Sequence, residues 1–173
     1  MPILPFKWGL RRILLNVAGG YAALKIFHEQ CYEIQPTSGP SMFPTLDIRG
    51  EAVLVSKFYK YGKSIQVGDM VVIRHPFFLH SHAGKRVVGM PGDFVLKNAP
   101  FKDGVGKGED LMIQVPEGHV WLTGDNLPWS RDSREYGPVP LGLVIGKVVA
   151  RAWPLSKIGW FLNTMEPAQF SDD

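Results

Sequence analysis

The sequence predicts an all-β domain, with a folded-over or barrel-like sheet, that follows an N-terminal membrane-anchor helix. Short valine-rich apolar runs follow one another from Glu33 onward, separated by glycine and proline turn signals. Long stretches of helical period are missing from that part of the chain. The first thirty residues differ, because basic residues precede a largely apolar stretch. We therefore divide the chain into an anchor or targeting segment at 1–30, a β-rich domain at 31–162 and a polar tail at 163–173.

The N-terminal segment has a marginally apolar stretch at 13–27, which Asn16 and Lys25 interrupt. A full membrane span needs about twenty apolar residues, so three interpretations compete: a short transmembrane anchor, an interfacial helix and a removable targeting segment. Residues 28–31 (His-Glu-Gln-Cys) do not resemble a signal cleavage site, which requires small residues. We favour an uncleaved anchor, with its basic residues on the side from which insertion begins.

The strands of the β-rich domain are predicted from its apolar runs, which have strand length and are rich in valine. They lie at 52–55, 70–73, 86–90, 94–96, 119–122 and 144–150. Segment 98–110 has a proline and three glycines among charged residues, and is expected to be a surface loop. The tail is polar and is expected to be frayed.

The composition excludes several classes of function. The chain has 173 residues, 45% of them hydrophobic, and a formal charge of +3 that is not gathered into one basic run. We find no recognition helix, zinc-finger spacing or aromatic RNA-binding signature, so no nucleic-acid partner is expected. The single cysteine, Cys31, rules out an intrachain disulfide and is expected to be an ordinary free thiol.

The first chemically suggestive segment surrounds Ser41. Gly39 permits a tight turn, and Pro40 fixes its own φ and keeps the preceding residue extended. Ser41 is thus held on a stiff, non-helical segment, with the apolar side chains of Met42 and Phe43 beside it. By itself this pattern also fits an ordinary serine in a turn.

The second segment begins with Lys85, which is expected to open the strand at 86–90. A free lysine amine has a pKa of about 10.4, so only about one in two thousand is neutral at pH 7. Burial lowers that pKa by up to several units, and a lysine beside an apolar strand can then act as a base. The alternative for a lone lysine is a solvated edge residue.

The third segment, 124–138, places polar and charged residues directly after the apolar run at 119–122. Such a loop requires internal hydrogen bonds and ion pairs to be held in place. The alternative is a solvated loop of turns.

Taken together, the three segments resemble the type I signal peptidase family of Ser–Lys membrane proteases. The chain matches Gly-Pro-Ser-Met-x-Pro-Thr at 39–45 and Lys-Arg-Val-x-Gly-x-x-Gly-Asp at 85–93. It also matches Gly-Asp-Asn, Ser-x-Asp-Ser-Arg and Tyr-Gly-Pro, in that order, within 124–138. The resemblance covers most of 39–154 and implies the folded β-sheet catalytic domain of that family.

The resemblance implies a catalytic role for three residues. Ser41 would be the nucleophile that forms an acyl-enzyme, and Lys85 its general base. Ser130 matches the family serine that orients the lysine. No metal or cofactor is implied.

Two supporting ion pairs are implied as well. Asp125 with Arg86, and Asp132 with Arg134, match family charges that hold the third segment in place.

Substrate binding is implied around the nucleophile. The substrate would bind extended, as an added strand, with Gly39, Met42 and Phe43 beside it and small residues near the cut. The Ser41 N–H would serve the oxyanion hole. Some family members add a hydroxyl where this chain has Gly39, and the resemblance leaves open whether backbone groups or Ser38 replace it.

The chain is most similar to the mitochondrial inner-membrane branch of the family, in its small size and its runs at 118–122 and 136–143. This similarity implies removal of sorting peptides from precursor proteins, a catalytic domain facing the intermembrane space and a heterodimer with a second related protease subunit. The small residues at 19, 20, 22 and 23 would let a second membrane helix pack closely.

Rival interpretations are a bacterial-type signal peptidase of a secretory membrane, a Ser-His-Asp hydrolase, a metal site and a non-catalytic partner subunit. The chain has no Gly-x-Ser-x-Gly elbow. A metal site of His75, His80 and His82 lacks an obvious carboxylate ligand. Intact Ser41 and Lys85 argue against a non-catalytic subunit.

Overall fold

The computed structural model describes residues 6–78, 80–97, 111–163 and 165. The N-terminal segment forms one helix, α1 (Phe6–Gln30). Along this helix the large apolar side chains are more than half exposed, namely Leu10, Ile13, Leu14, Leu15, Val17, Tyr21, Leu24, Ile26 and Phe27. Within the described residues, we find no helix with both the length and the apolar character required to cross a membrane.

The rest of the described chain is mostly β-structure, which confirms the predicted fold class. The strands are β1 (Tyr32–Ser38), β2 (Arg49–Ser56), β3 (Met70–Arg74), β4 (His82–Gly89), β5 (Phe94–Leu96), β6 (Met112–Gln114), β7 (His119–Thr123), β8 (Val139–Pro140), β9 (Val144–Trp153) and β10 (Gly159–Trp160). One short helix, α2 (Ser133–Tyr136), lies between β7 and β8.

Every predicted apolar run overlaps a strand, but two details differ. Strand β4 begins at His82, so Lys85 lies in the middle of a strand and does not open one. Strands β1, β6, β8 and β10 were not predicted. The expected loop at 98–110 lies outside the described residues.

The C-terminal tail begins on the surface of the β-domain. Asn163 Nδ2 donates hydrogen bonds to the Val67 carbonyl at 2.8 Å and to the Asp69 carboxylate at 3.0 Å. Beyond Asn163, only residue 165 of the tail is described.

The strands form one large antiparallel sheet in the order β1-β2-β9-β3-β4-β7-β8, with β10 also paired to β9, and a separate pair β5-β6. Three strands lie between β1 and β4 in this order. Yet Gln35 Nε2 of β1 lies 2.5 Å from His82 Nδ1 of β4. The sheet is therefore curled so that β1 and the start of β4 face each other across a groove.

Two of the three apolar clusters in the described residues meet at β3, which contributes side chains to both. Val71 and Ile73 belong to the first cluster, with side chains of β4, β7 and β8. Met70 and Val72 belong to the second, with side chains of β2 and β9 and those of Met42 and Leu46. Because side chains alternate along a strand, β3 separates the two clusters. The second cluster ties the segment around Ser41 to the core.

Candidate active site

The segment around Ser41 is a closed loop at 39–48 between β1 and β2. Gly39 N donates to the Ile48 carbonyl at 2.8 Å, which joins the two ends of the loop. Gly39 has φ +105°, a conformation that side-chain-bearing residues rarely adopt. A 3₁₀ turn, Pro40–Met42, follows and contains the half-buried Ser41. The loop is closed at its two ends, but Ser41 lies in a 3₁₀ turn and not in the non-helical segment that the sequence predicted.

The same loop is fixed from its inner side by Met42 and Leu46, which are both buried in the second apolar cluster. Leu46 N donates to the Met42 carbonyl at 2.8 Å, so the two limbs of the loop are bonded to each other. Truncation of a buried methionine or leucine costs about 2–5 kcal/mol, so this packing holds the Ser41 turn firmly.

Lys85 is 3% exposed, in the part of β4 that borders the groove. Its Nζ donates a hydrogen bond to Ser130 Oγ at 2.8 Å. Burial lowers the pKa of the Lys85 amine below its usual value, and the charge of Asp132 only partly opposes this effect. The environment of Lys85 thus favours the neutral amine that a general base requires.

Gly124 is the place where the Ser41 and Lys85 segments meet. Asn126 N donates to the Ser41 carbonyl at 3.0 Å. A Cβ added to Gly124 would lie 2.3 Å from Ser130 Oγ and 2.4 Å from Ser41 O. Ser130, the hydrogen-bond partner of Lys85, and the Ser41 backbone therefore both pack against the same glycine. The three residues Ser41, Lys85 and Ser130 thus lie in one neighbourhood.

Asp132 and Arg134 form an ion pair beneath this neighbourhood. Asp132 is fully buried, and its carboxylate accepts hydrogen bonds from Arg134 Nε at 2.8 Å and Nη2 at 2.9 Å. Its Oδ2 also accepts from Gly124 N at 3.0 Å. Burial opposes ionisation of Asp132, but the Arg134 and Gly124 hydrogen bonds outweigh it and keep the pKa of Asp132 below its usual value. The pair therefore supports Gly124 and Ser130 directly.

Asp125 and Arg86 form the second pair. Arg86 Nε and Nη2 each donate to the Asp125 carboxylate at 2.7 Å. Thr45 Oγ1 donates to the same carboxylate at 2.5 Å. Burial again opposes ionisation, while Arg86 and Thr45 lower the pKa of Asp125 overall. Asp125 therefore links Arg86, the residue after Lys85, to Thr45 in the Ser41 loop. The sequence analysis did not assign a role to Thr45.

A cavity of about 110 Å³ lies beside Ser41. Gly39 and Met42, two of the three residues expected beside the substrate, line it, whereas the third, Phe43, is 46% exposed and lies outside its lining. The deep wall is apolar, formed by Leu46, Val53, Met70, Val72 and Val148, and the rim carries Gln35, Thr37, Ser38, Asp47 and His82. The cavity can accept one side chain of modest size from a peptide lying in the groove.

The histidines proposed for a rival metal site make other contacts. His75 Nδ1 accepts a hydrogen bond from Phe77 N at 3.2 Å, and His82 Nδ1 contacts Gln35. In the described ranges, no group of three histidine, cysteine or acidic side chains is arranged to hold a metal ion. Cys31 is a half-buried free thiol.

Comparison with known protein families matches residues 10–99 and 97–153 to the family described as signal peptidase, peptidase S26. Mitochondrial inner membrane protease subunit 1 of Schizosaccharomyces pombe is 44% identical over 147 residues, which cover 84% of this chain and 89% of that protein. The Saccharomyces cerevisiae protein of the same name is 43% identical over 134 residues, which cover 73% of this chain and 70% of that protein. Mitochondrial inner membrane protease subunit 2 of Danio rerio is 36% identical over 157 residues, which cover 87% of this chain and 81% of that protein.

Among solved structures, a signal peptidase I from Enterococcus faecalis matches 50% of this chain and 97% of its own, with 27% identity and a TM-score of 0.39. The family match and the relatives in yeasts and zebrafish both extend over most of the chain, including the three segments that surround Gly124. The chain therefore belongs to the peptidase S26 signal peptidase family.

Proposed function

We propose that the chain is a serine endopeptidase of the mitochondrial inner membrane that removes sorting peptides from precursor proteins with a Ser41–Lys85 dyad. The observation that carries the dyad is the buried Lys85 amine, which is bonded to Ser130 and lies beside the Ser41 loop. The names of the relatives, which are inner membrane protease subunits, support the location and the class of reaction.

In the proposed reaction, neutral Lys85 takes the proton of Ser41 Oγ as that oxygen attacks the scissile carbonyl carbon. The C–N bond then breaks, the leaving amine takes a proton from the lysine, and an acyl-enzyme ester remains on Ser41. Lys85 next takes a proton from water, whose oxygen attacks the ester, and the proton returns to Ser41 Oγ. Ser130 holds the lysine amine in place through the 2.8 Å hydrogen bond.

The developing oxyanion requires hydrogen-bond donors, and the Ser41 backbone N–H is our proposed first donor. Gly39 supplies no hydroxyl, whereas Ser38 is exposed at the rim of the cavity. We therefore propose backbone donors or Ser38 for the second position.

The groove between β1 and β4 fits an extended peptide. Within the described residues β1 pairs only with β2, and β4 pairs with β7 only from Arg86 onward. Both strands thus present backbone groups to the groove, and a peptide inserted there can add a strand to each. The small cavity beside Ser41 then selects a compact residue next to the cut.

We further propose that α1 attaches the chain to the inner membrane, with the β-domain in the intermembrane space, and that the enzyme works in a heterodimer. The exposed apolar side chains of α1 support a role in contact with lipid or a second helix. The numbered subunits among the relatives support assembly with a second related protease.

Cleavage of a precursor-like peptide by the purified full-length chain tests the function. We expect turnover by the wild type and none by Ser41→Ala or Lys85→Met at unchanged folding. Wild-type turnover in either variant would exclude the dyad, and binding without cleavage by the wild type would favour a non-catalytic subunit.

A further inference from the structure

Strand β2 carries a charged residue on its core-facing side. Glu51, Val53 and Val55 alternate along the strand, and all three are buried, with Glu51 only 4% exposed. Val53 and Val55 belong to the second apolar cluster together with Met42 and Leu46. An apolar side chain would be expected at position 51, because a buried carboxylate is costly unless it is paired. Its presence calls for a specific role.

Glu51 is paired with Arg151 on the neighbouring strand β9. The register that places Val53 opposite Arg151 brings Arg151 Nε to 3.1 Å from Glu51 Oε1. Among the described residues neither atom has a hydrogen-bond partner, so the contact is an ion pair and not an aligned hydrogen bond. The remaining polar atoms of both side chains are therefore free to bind other groups.

Both side chains hold the backbone of the Ser41 loop. Arg151 Nη2 donates to the Thr45 carbonyl at 2.7 Å. Glu51 Oε2 accepts from Asp47 N at 3.1 Å. The two groups thus bond the backbone of residues 45 and 47, in the second half of the loop (44–48, the returning limb), to the paired strands β2 and β9.

The returning limb is in turn bonded to the reacting segment. Leu46 N donates to the carbonyl of Met42, the residue after Ser41. Thr45 Oγ1 donates to Asp125. A shift of Thr45 or Asp47 is therefore transmitted to the Ser41 turn.

We propose that Glu51 and Arg151 are positioning residues, which hold the Ser41 loop at the distance from Lys85 that proton transfer requires. This inference rests on the proposed function. The pair touches backbone groups of the loop and no reacting atom, so it acts through Ser41.

The first test compares Arg151→Met with Lys147→Met in the full-length chain. Lys147 is a matched control, because it also lies on β9 and pairs with a buried carboxylate, Asp69, at 2.7 Å. We expect Arg151→Met to lower kcat roughly 10- to 100-fold, since misplacement of a reacting group by about an ångström can lower the rate about 100-fold. The KM should stay within about twofold of the wild-type value, because the pair does not line the peptide cavity. Lys147→Met should keep kcat while its melting temperature falls comparably. Equal kcat in the two variants would overturn the proposal.

The second test removes both charges, because a single variant can fail to fold. Replacement of a buried ion pair by apolar residues is often neutral or stabilising, so Glu51→Met combined with Arg151→Met should remain folded. We expect this double variant to be stable but slow, and near wild-type kcat would show that the pair is only structural. Restored kcat in Arg151→Lys would further support positioning by the positive charge. A folded Arg151→Lys protein with low kcat would indicate that positioning requires the two separate nitrogens of the guanidinium group.

Amide hydrogen exchange tests whether Arg151 holds the Ser41 loop, and this test does not depend on catalysis. We expect faster exchange at Leu46 and Asp47 in Arg151→Met than in Lys147→Met. Unchanged protection at both amides would overturn the inference whether or not the chain cleaves peptides. A wild type without turnover, but with this exchange pattern, would instead overturn the proposed function and leave the loop attachment intact.

Discussion

Lys85 is an amine in an environment where a charged amine is costly. It is buried on a strand, and its amine donates a hydrogen bond to a neutral hydroxyl, that of Ser130. The charges of Asp132 and Arg134 also act on it, in opposite directions, and these two groups are paired with each other. Burial therefore decides the direction in which the pKa of Lys85 moves, toward the neutral amine that the proposed mechanism requires.

The pH dependence of the rate should report this base. Activity requires neutral Lys85, so kcat/KM should rise with pH and level off above a pKa that lies well below the ordinary value of about 10.4. The measurement is a pH–rate profile with a peptide substrate over the range in which the fold is intact. A profile that keeps rising in step with an unperturbed lysine would contradict the role of burial.

Ser130 and Asp132 should separate rate from stability. Ser130→Ala removes the partner of Lys85 and should lower kcat strongly, by roughly 100-fold, with little change in melting temperature. Asp132→Ala leaves Arg134 without its buried partner and should cost about 3–5 kcal/mol of unfolding free energy as well as activity. Thermal melts and kinetics on both variants provide the check, and an Asp132→Ala protein with wild-type melting temperature would mean a solvated pair.

Acid should act on the same aspartate. Because the pKa of Asp132 is lowered in the folded chain, its contribution to stability is present above the unfolded pKa of about 3.9 and is lost as pH falls through the folded value. The difference in unfolding free energy between the wild type and Asp132→Ala should consequently be largest near pH 7 and shrink as the pH falls through the folded pKa of Asp132. Denaturant unfolding of both proteins over this pH range is the measurement.

At the scale of elements, the sequence predicted six strands that carry buried valines, and it missed β1 and the two- or three-residue strands β6, β8 and β10. Every one of the predicted runs lies on a strand, because apolar alternation reflects burial on the sheet. Strand β1 was missed because Pro36 and polar residues interrupt its pattern, which an edge strand tolerates. The start of β4 was missed because residues 82–84 are polar or small, at the place where the strand borders the groove.

Gly124 shows how closely the elements approach one another. Its neighbours leave no room for a methyl group, since an added Cβ would lie 2.4 Å from a backbone carbonyl that cannot rotate away. Gly124→Ala should therefore push the Ser41 loop away from Ser130 and reduce kcat by roughly 100-fold or more, because geometry at the reacting atoms is lost.

The matched control is Gly142→Ala, where a Cβ meets nothing within 4 Å. This variant should keep both activity and melting temperature. The kinetics of the two alanine variants test the close approach, and an active Gly124→Ala enzyme would argue against it.

At the scale of the whole molecule, the site joins residues from distant parts of the chain. The middle of β4 and the turn before α2 are neighbours because β4 pairs with β7, and the Ser41 loop reaches them because the sheet curls. Spacing alone cannot predict that closure. The resemblance of three ordered segments to one family predicted the residues, while the roles of Thr45, Glu51 and Arg151 depend on side-chain contacts that no motif describes.

The N-terminal helix should govern attachment to the membrane. Helix α1 exposes apolar side chains between Leu10 and Phe27 that water solvates poorly, so deletion of residues 1–30 should release the β-domain from membranes into the carbonate-soluble fraction. The full-length chain should resist carbonate extraction and become protease-accessible once the outer membrane is ruptured. A full-length chain released by carbonate, or one that stays protected after rupture, would contradict the proposed topology.

Recovery of the partner subunit with the truncated chain extends this experiment. Reduced recovery would indicate that α1 makes the main contact through its small residues. Full recovery would place the contact on the β-domains.

The dyad is tested most directly by the mass of the enzyme during turnover. Acid quenching of the full-length chain with a slowly cleaved peptide ester, followed by peptide mapping, should find the acyl group on Ser41 in the wild type. Lys85→Met should show no such adduct at the same time points, because the hydroxyl keeps its proton. An acyl group on another residue, or equal acylation of Ser41 in Lys85→Met, would contradict the Ser41–Lys85 mechanism.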